Sequence, residues 1–471
     1  MDRPTPRAVL AGAALGFVAC VALFWPGFAT YDSVVQYRQV LGGVYDDWHP
    51  PVMARLWALL HGVTPGAGPM LLLQLAGWWI GMGLLAAALA RSGRRLAALA
   101  IGLITLWPPF LGWQAAVLKD GQAVGALAAA TGTIGWFRLR GVRLPLTGRL
   151  AVAGLIAFAL LVRANAVFAV APLIAGMMPT GTRRTRRMLV AAIVTAGTLV
   201  LSPPINHLLL GAAVSGVEKT QPLYDLAGIA VRTGDARTGF TAAEIATLRR
   251  RHCVRSYFWD PLGDEGGCAG VTGRLLSQKA SYLYASLARA VIAHSLAYAA
   301  HRIAHLNATD RLWVPKGWPG AAPPAGSEPN DLGLGQPGRL AAGWQGIAGW
   351  LIGGPAGWPI LWIVFATVAL AATWKAAGEA AGIARALLVS ALGLEASFAV
   401  ISIAADLRYH LWAMIATALA LAIAGRGVWT RRATSWLVCS LALVVAVVTA
   451  ARLSLPSPPA AYADWMRWTG D

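Results

Sequence analysis

The run LAVAGLIAFALLVRANAVFAVAPLIAGMM, residues 150–178, decides how this chain is organised. It is apolar throughout except at Arg163 and Asn165. Crossing ~30 Å of hydrocarbon takes about 20 apolar residues, so the run is too long for one straight span. A single tilted span would put the following RRTRR (183–187) outside, against the tendency of short basic loops to stay in the cytoplasm. Two short helices, with Arg163 at an outer hairpin, keep those arginines inside. Irregular backbone at that depth is tolerated where it lines a cavity, and the hairpin is the preferred reading.

Similar apolar blocks recur along the 471-residue chain, which is 57% hydrophobic and only 13% charged. Its mean hydropathy is +0.58, whereas a soluble protein carries roughly a quarter charged residues. A water-soluble enzyme and a disordered chain are therefore excluded. The pattern predicts an all-α polytopic membrane protein with about 11 spans. They lie near 8–28, 67–90, 96–114, 119–137, two within 150–178, 188–210, 356–374, 386–404, 409–425 and 433–452. The first apolar run lacks a small-residue cleavage site, so it is expected to stay as a span.

Three units follow: an N-terminal membrane module (1–210), a mostly helical extracytoplasmic region (211–343) and a C-terminal membrane module (344–471). In the first outer loop, 29–62, DSVVQYRQVLGG reads as a short amphipathic helix with Asp32 doubling as its cap. DDWHPP then breaks the chain before a second short helix. Residues 277–308 look helical and amphipathic, and the Gly/Pro-rich 317–338 reads as a flexible stretch.

The net charge of +19 is a topology signal. Nearly half of the 39 Lys and Arg fall in six short segments: Arg3–Arg7, Arg91–Arg95, Arg138–Arg149, Arg183–Arg187, Lys375–Arg385 and Arg426–Arg432. With Asp2 and Glu379 as their flanking acids, these segments place the N-terminus and the basic loops in the cytoplasm of a plasma (inner) membrane. No nucleic-acid-binding module accompanies the charge, so nucleic acid is not an expected partner. Cys20 and Cys439 sit in apolar spans. Cys253 and Cys268 lie in the long outer region, where a disulfide is the natural reading and a metal pair the weaker one.

Under this topology the ionisable residues collect at the outer boundary. Asp32, Asp46, Asp47, Trp48 and His49 follow span one, and Lys119 and Asp120 begin span four. Arg163 and Asn165 sit at the hairpin, and Asp406, Arg408, Tyr409 and His410 lie between spans nine and ten. Charged groups near hydrocarbon are costly and usually face a cavity or a partner, so a shared cavity is the economical inference. Each residue also has a plainer reading: Asp32 a cap, Asp46 and Asp47 a solvated turn, Trp48 and His49 an interfacial anchor. Likewise Lys119–Asp120 and Asp406–Arg408 read as local ion pairs, and Glu395, mid-span, has no assigned role. A carboxylate can act as general base on a hydroxyl, while Arg and Lys stabilise phosphate. No P-loop, GxSxG or HExxH occurs, so ATP coupling and zinc hydrolysis are poorly supported.

The layout resembles the GT-C superfamily, polytopic glycosyltransferases that take sugars from polyprenyl-phosphate carriers. The likeness rests on YDSVVQYRQVLGGVYDDWHPP (31–51), WPPFLGWQAAVLKDG (107–121) and LLVRANAVFAVAPL (160–173), with HSLAYAAHRIAHL (294–306) and ADLRYHLW (405–412) in support. What it implies is inverting transfer outside the cytoplasm, with Asp32 as general base and Asp46 or Asp47 as competing choices. Asp120 matches the second acidic position, positioning the acceptor or binding a divalent cation, the one cofactor the resemblance admits. Arg163 and Arg408, supported by Lys119, would hold the carrier phosphate; Trp48, His49, Asn165, Asp406 and Tyr409 would complete substrate binding. The implied partners are a polyprenyl-phosphate sugar, a lipid, glycan or protein acceptor, and membrane lipids. The rival readings are a transporter or lipid flippase, and another outer-face lipid-modifying enzyme.

Overall fold

A computed structural model describes residues 5–179, 181–459, 462–466 and 468; Asp2 and Arg3 lie outside the described residues. The chain is mostly helical. Its sheet is one parallel pairing of two-residue strands, Phe28–Ala29 with Ala116–Val117. Helices occupy every apolar stretch expected, including Leu146–Val162 and Val167–Met177 on either side of Arg163. By length and composition six helices can cross a membrane, or seven if the bent pair Arg95–Thr105 and Pro108–Ala115 is one span. This is compatible with a multi-pass membrane protein. The number falls below eleven because Lys119–Arg138, though 20 residues long, is not apolar enough to be among the six, and because three others are short. At 1.5 Å per residue, the helices Leu146–Val162, Ala164–Met177 and Pro359–Thr373 are each shorter than the hydrocarbon layer.

The centre of the bundle is the helix pair Gly68–Arg91 and Lys119–Arg138. Their backbones approach closely because glycines face each other: a Cβ on Gly77 would strike Gly125, one on Gly81 the Ala128 backbone, and one on Gly132 the backbone of Gly81. Both helices carry the G-x-x-x-G spacing, GWWIG (77–81) and GQAVG (121–125), which suits packing in lipid, where close van der Waals contact replaces the hydrophobic effect. Gln122 donates to the Met70 carbonyl (2.8 Å) and to Gln74 Oε1 (3.0 Å), and Gln74 donates to the carbonyls of Gln114 (2.6 Å) and Ala116 (2.9 Å). This ladder seats the first turn of the Lys119–Arg138 helix. Gly81→Leu is expected to destabilise the solubilised protein by at least about 1–3 kcal/mol, read as a lower thermal midpoint; an unchanged midpoint would contradict the packing.

The helix Lys119–Arg138 separates two ends of the bundle by about 30 Å. At one end Arg138 pairs with Glu379, and Arg94 donates to the Ile423 carbonyl (2.7 Å). This is the basic end, where the Arg-rich loops gather. The other end carries the mid-chain region, which has its own core, including Leu223, Tyr224, Phe240, Leu262 and Leu283. Cys253 and Cys268 form a disulfide there. The 277–308 segment is two helices, Ala280–Ala293 and Ser295–Asp310, broken at His294. Buried Asp225 pairs with Arg302 (3.0 Å) and His301 (3.3 Å). Arg302 also donates to the carbonyls of Ala399 (2.9 Å) and Phe398 (3.1 Å), fastening this region to the end of the Glu379–Ile401 helix.

Two local expectations change. Thr30, rather than Asp32, caps the Tyr31–Gly42 helix, through a reciprocal capping box with Ser33; Asp32 lies in the first turn with its side chain free for other partners. The 317–338 stretch is a fitted strap, not a flexible linker. Ser327 Oγ accepts from Ala29 N (3.0 Å), Glu328 N donates to the Ala29 carbonyl (2.8 Å), and Leu334 is buried. Its glycines serve close approach: Gly320, at φ +62°, leaves no room for a Cβ beside Asp406 and Tyr257.

Candidate functional site

Four segments deliver charge to the end of the bundle opposite the basic loops. Asp32 comes from the first turn of the Tyr31–Gly42 helix, Lys119 and Asp120 from the first turn of Lys119–Arg138. Arg163 stands at the extended break after Leu146–Val162 (φ −147°, ψ 98°), and Arg408 lies in the short turn Leu407–His410. Position is enforced locally: Ser33 Oγ donates to the Val117 carbonyl (2.5 Å), tying the Asp32 helix to the strand just before Lys119.

The side chains form one network. Asp32 Oδ2 lies 3.4 Å from Lys119 Nζ and 3.2 Å from Arg408 Nη1. Asp120 pairs with Arg163 through Oδ1, and its Oδ2 lies 4.0 Å from Arg408 Nε. Arg408 Nη2 also reaches Asp406 (3.2 Å), and Tyr257 donates to the other oxygen of Asp406 (3.1 Å). The Arg163 guanidinium lies 4.4 Å from the centre of the Tyr409 ring, and that of Arg408 lies 5.5 Å from it. Three cations thus face three carboxylates with little water access. Arg408 Nε and Asp120 Oδ2 have no hydrogen-bond partner among the described residues.

A small cavity opens here. Asp120, Arg163, Arg408 and Tyr409 line it together with Val124, Leu127, Leu394 and Trp412. A buried ion-pair network is a poor source of stability, because desolvation offsets most of the Coulomb gain.

Electrostatics sets the protonation of the loop groups. Burial alone would raise the Asp32 carboxyl, but Arg408 and then Lys119 outweigh it and hold Asp32 well below the usual carboxylate range. His49, 3.5 Å from Lys119, is pushed down to about 4 by burial and by that ammonium; buried His305 falls to about 3, chiefly by burial. Between pH 6.5 and 4 the unfolded chain therefore binds protons at these histidines that the folded chain does not, so stability falls as pH drops through that window. The Asp32 contribution is intact above an ordinary carboxylate pKa of ~3.9 and is lost below it. The thermal midpoint is expected to drop between pH 6.5 and 4, and His49→Gln to flatten that drop. An unchanged slope in the variant would count against a neutral, buried His49.

The structure does not bring every sequence candidate into the network. Asp47 turns away to His207 (3.5 Å) and the Ser215 backbone N–H (2.6 Å), and Asp46 accepts from the Trp48 N–H (3.0 Å) in a chain segment paired with Ala213. Both acids shape the loop. Trp48 packs on Trp259 of the mid-chain region, with ring centres 5.8 Å apart, and His49 touches the network through Lys119. Asn165 sits in the turn after Arg163, half-buried and outside the ion pairs. Sequence reasoning missed Tyr257 and Trp412, which nothing but spatial proximity marks. A divalent cation on Asp32 and Asp120 does not fit this arrangement: arginine and lysine already neutralise both carboxylates, which would have to be stripped of those partners first.

The chain matches no protein-family model and no curated protein.

Proposed function

We propose that this protein is an integral membrane glycosyltransferase of GT-C type that moves a sugar from a polyprenyl-phosphate carrier to an acceptor on the extracytoplasmic side, with inversion. The observation that carries this reading is the gathering of Arg163, Arg408 and Lys119 with Asp32 and Asp120 at the end of the bundle opposite the basic loops, beside a cavity lined by both charged and apolar side chains. That lining would suit an amphiphile with an anionic head and an apolar tail once the cavity, about 20 Å³ and room for little more than a water molecule in this structure, widens to admit it. The Arg-rich loops at the opposite end favour an orientation with that end in the cytoplasm, and eleven crossings, some through short helices, fit the layout. Trp465 packs with Tyr257 of the mid-chain region, in keeping with an odd number of crossings from a cytoplasmic N-terminus.

The chemistry follows from exchange of ion-pair partners. The carrier phosphate takes Arg163, Arg408 and Lys119 away from Asp120 and Asp32, offering bidentate, charge-assisted contacts to the two guanidinium groups. Asp32, relieved of two cations, becomes a stronger base. It accepts the proton of the acceptor hydroxyl as the oxygen attacks the anomeric carbon from the face opposite the phosphate. The bond to the carrier oxygen breaks, its electron pair leaves with the polyprenyl phosphate, and the cations stabilise that charge. Asp406, held by Tyr257, keeps Arg408 in place.

Transporters generally hold their sites near the bilayer midplane, whereas these groups crowd one end, which favours transfer over flipping. The test is reconstitution of the purified protein in vesicles with a polyprenyl-phosphate sugar and an envelope lipid or glycan acceptor, with mass analysis of both pools. Transfer abolished in Asp32→Asn supports the reading; movement of lipid across the bilayer without transfer rejects it.

A further inference from the structure

Behind the network lies a second cluster to which the transfer chemistry gives no task. Asp310 ends the Ser295–Asp310 helix of the mid-chain region, Glu395 lies within Glu379–Ile401, and His410 closes the turn Leu407–His410. One ligand atom from each lies within 4.8 Å of the other two. Asp310 is 8% exposed, Glu395 6% and His410 0%. Glu395 Oε2 is 2.8 Å from His410 Nδ1, while Asp310 Oδ1 and Glu395 Oε1 have no hydrogen-bond partner among the described residues. Orphaned carboxylate oxygens at that depth are expensive.

Charge makes the cluster harder to explain as packing. Two carboxylates face one imidazole, and among the described residues no Lys or Arg forms an ion pair with either acid. A dication with neutral histidine would bring the charge to zero and give both orphaned oxygens a partner. One nitrogen and two carboxylate oxygens suit a borderline divalent ion such as zinc or manganese, not magnesium or calcium, which prefer an all-oxygen shell. With three protein ligands, a tetrahedral ion would take its fourth from water or from the second oxygen of a carboxylate.

We propose that Asp310, Glu395 and His410 bind one divalent transition-metal ion, which pins the mid-chain region to the membrane helices. His410 directly follows Arg408 and Tyr409 in the chain, so the ion is a positioning element for the network in front of it. The three residues come from three separate elements, already held near one another by Arg302 on the Ala399 and Phe398 carbonyls and by the Phe398–His410 ring contact, and the ion would add a cross-link where hydrocarbon meets the outer region.

The test needs no activity. The full-length protein is purified in detergent without chelator and analysed for bound metal, then stripped with a chelator and melted with and without added zinc, manganese or cobalt. About one ion per chain as isolated is expected, together with a higher melting temperature on re-addition to the stripped protein. Glu395→Gln and Asp310→Asn should each weaken retention by at least about tenfold, and cobalt should give visible absorption bands in the parent protein only. Wild-type protein that is metal-free as isolated, and whose melting temperature none of the three ions raises, overturns the proposal whether or not the variants fold. So does equal metal content in wild type and folded variants. Failure of sugar transfer, by contrast, would leave these measurements unaffected.

Discussion

Asp32→Asn should lower the turnover of sugar transfer by about 10²–10⁴-fold, the usual contribution of a general base, while leaving affinity for the carrier unchanged or tighter. The split comes from the geometry. In the resting site Asp32 competes with any incoming phosphate for Arg408 and Lys119, which lie 3.2 and 3.4 Å from its Oδ2. An amide keeps the shape, surrenders the negative charge, and frees both cations for the phosphate. A turnover defect with retained or improved binding of polyprenyl phosphate is the signature of a base that also guards the anion site. If binding and turnover fell together, Asp32 would be holding the site open rather than taking a proton. If neither changed, the role would pass to another acid. Asp46 and Asp47 are poor replacements, because their oxygens are committed to the loop that faces Ala213 and Ser215.

The second large effect falls on Arg408, which reaches all three carboxylates of the network. Arg408→Ala leaves those acids short of a counter-charge in a buried setting, and loss of one partner of such a pair costs about 3–5 kcal/mol. The variant is expected to be poorly folded. Arg408→Lys is the sharper test, because it keeps the charge and removes the planar fork. Carrier affinity should then fall by roughly tenfold to a hundredfold, the loss of one to two charge-assisted hydrogen bonds, with a thermal midpoint close to that of wild type. Stabilisation by added polyprenyl phosphate, read as a melting shift, measures it directly. An unaltered ligand-induced shift in a folded Arg408→Lys protein would remove Arg408 from the phosphate site.

Arg163 shows how far a single residue carries. A guanidinium between two apolar half-helices has few structural uses, and the choice between a tilted span and a hairpin followed from the basic run Arg183–Arg187 alone. The structure has the break there, with Arg163 in extended backbone and its side chain on Asp120 and the Tyr409 ring. The pairing itself was not legible, since Asp120 lies in another helix and the sequence offered the adjacent Lys119 as its counter-charge. Lys119 instead pairs with Asp32. The Gly77/Gly81 and Gly121/Gly125 spacings stand in the sequence, but that they face each other across one helix pair emerged only from the structure. The strap at 317–338 shows the opposite error: Gly and Pro in number suggest flexibility, yet here they permit close backbone approach.

Helical content, apolar spans, basic loops and the segments that supply charge are properties of composition and local order, so the sequence alone determined them. Lipid and water sort residues by type before any contact forms. Which acid meets which cation, and that Asp47 turns away while Tyr257 and the Asp310–Glu395–His410 cluster come in, only the tertiary structure decided. Ion pairs and hydrogen bonds are short-ranged and directional, and their geometry exists only after the glycine-lined helices have closed on one another.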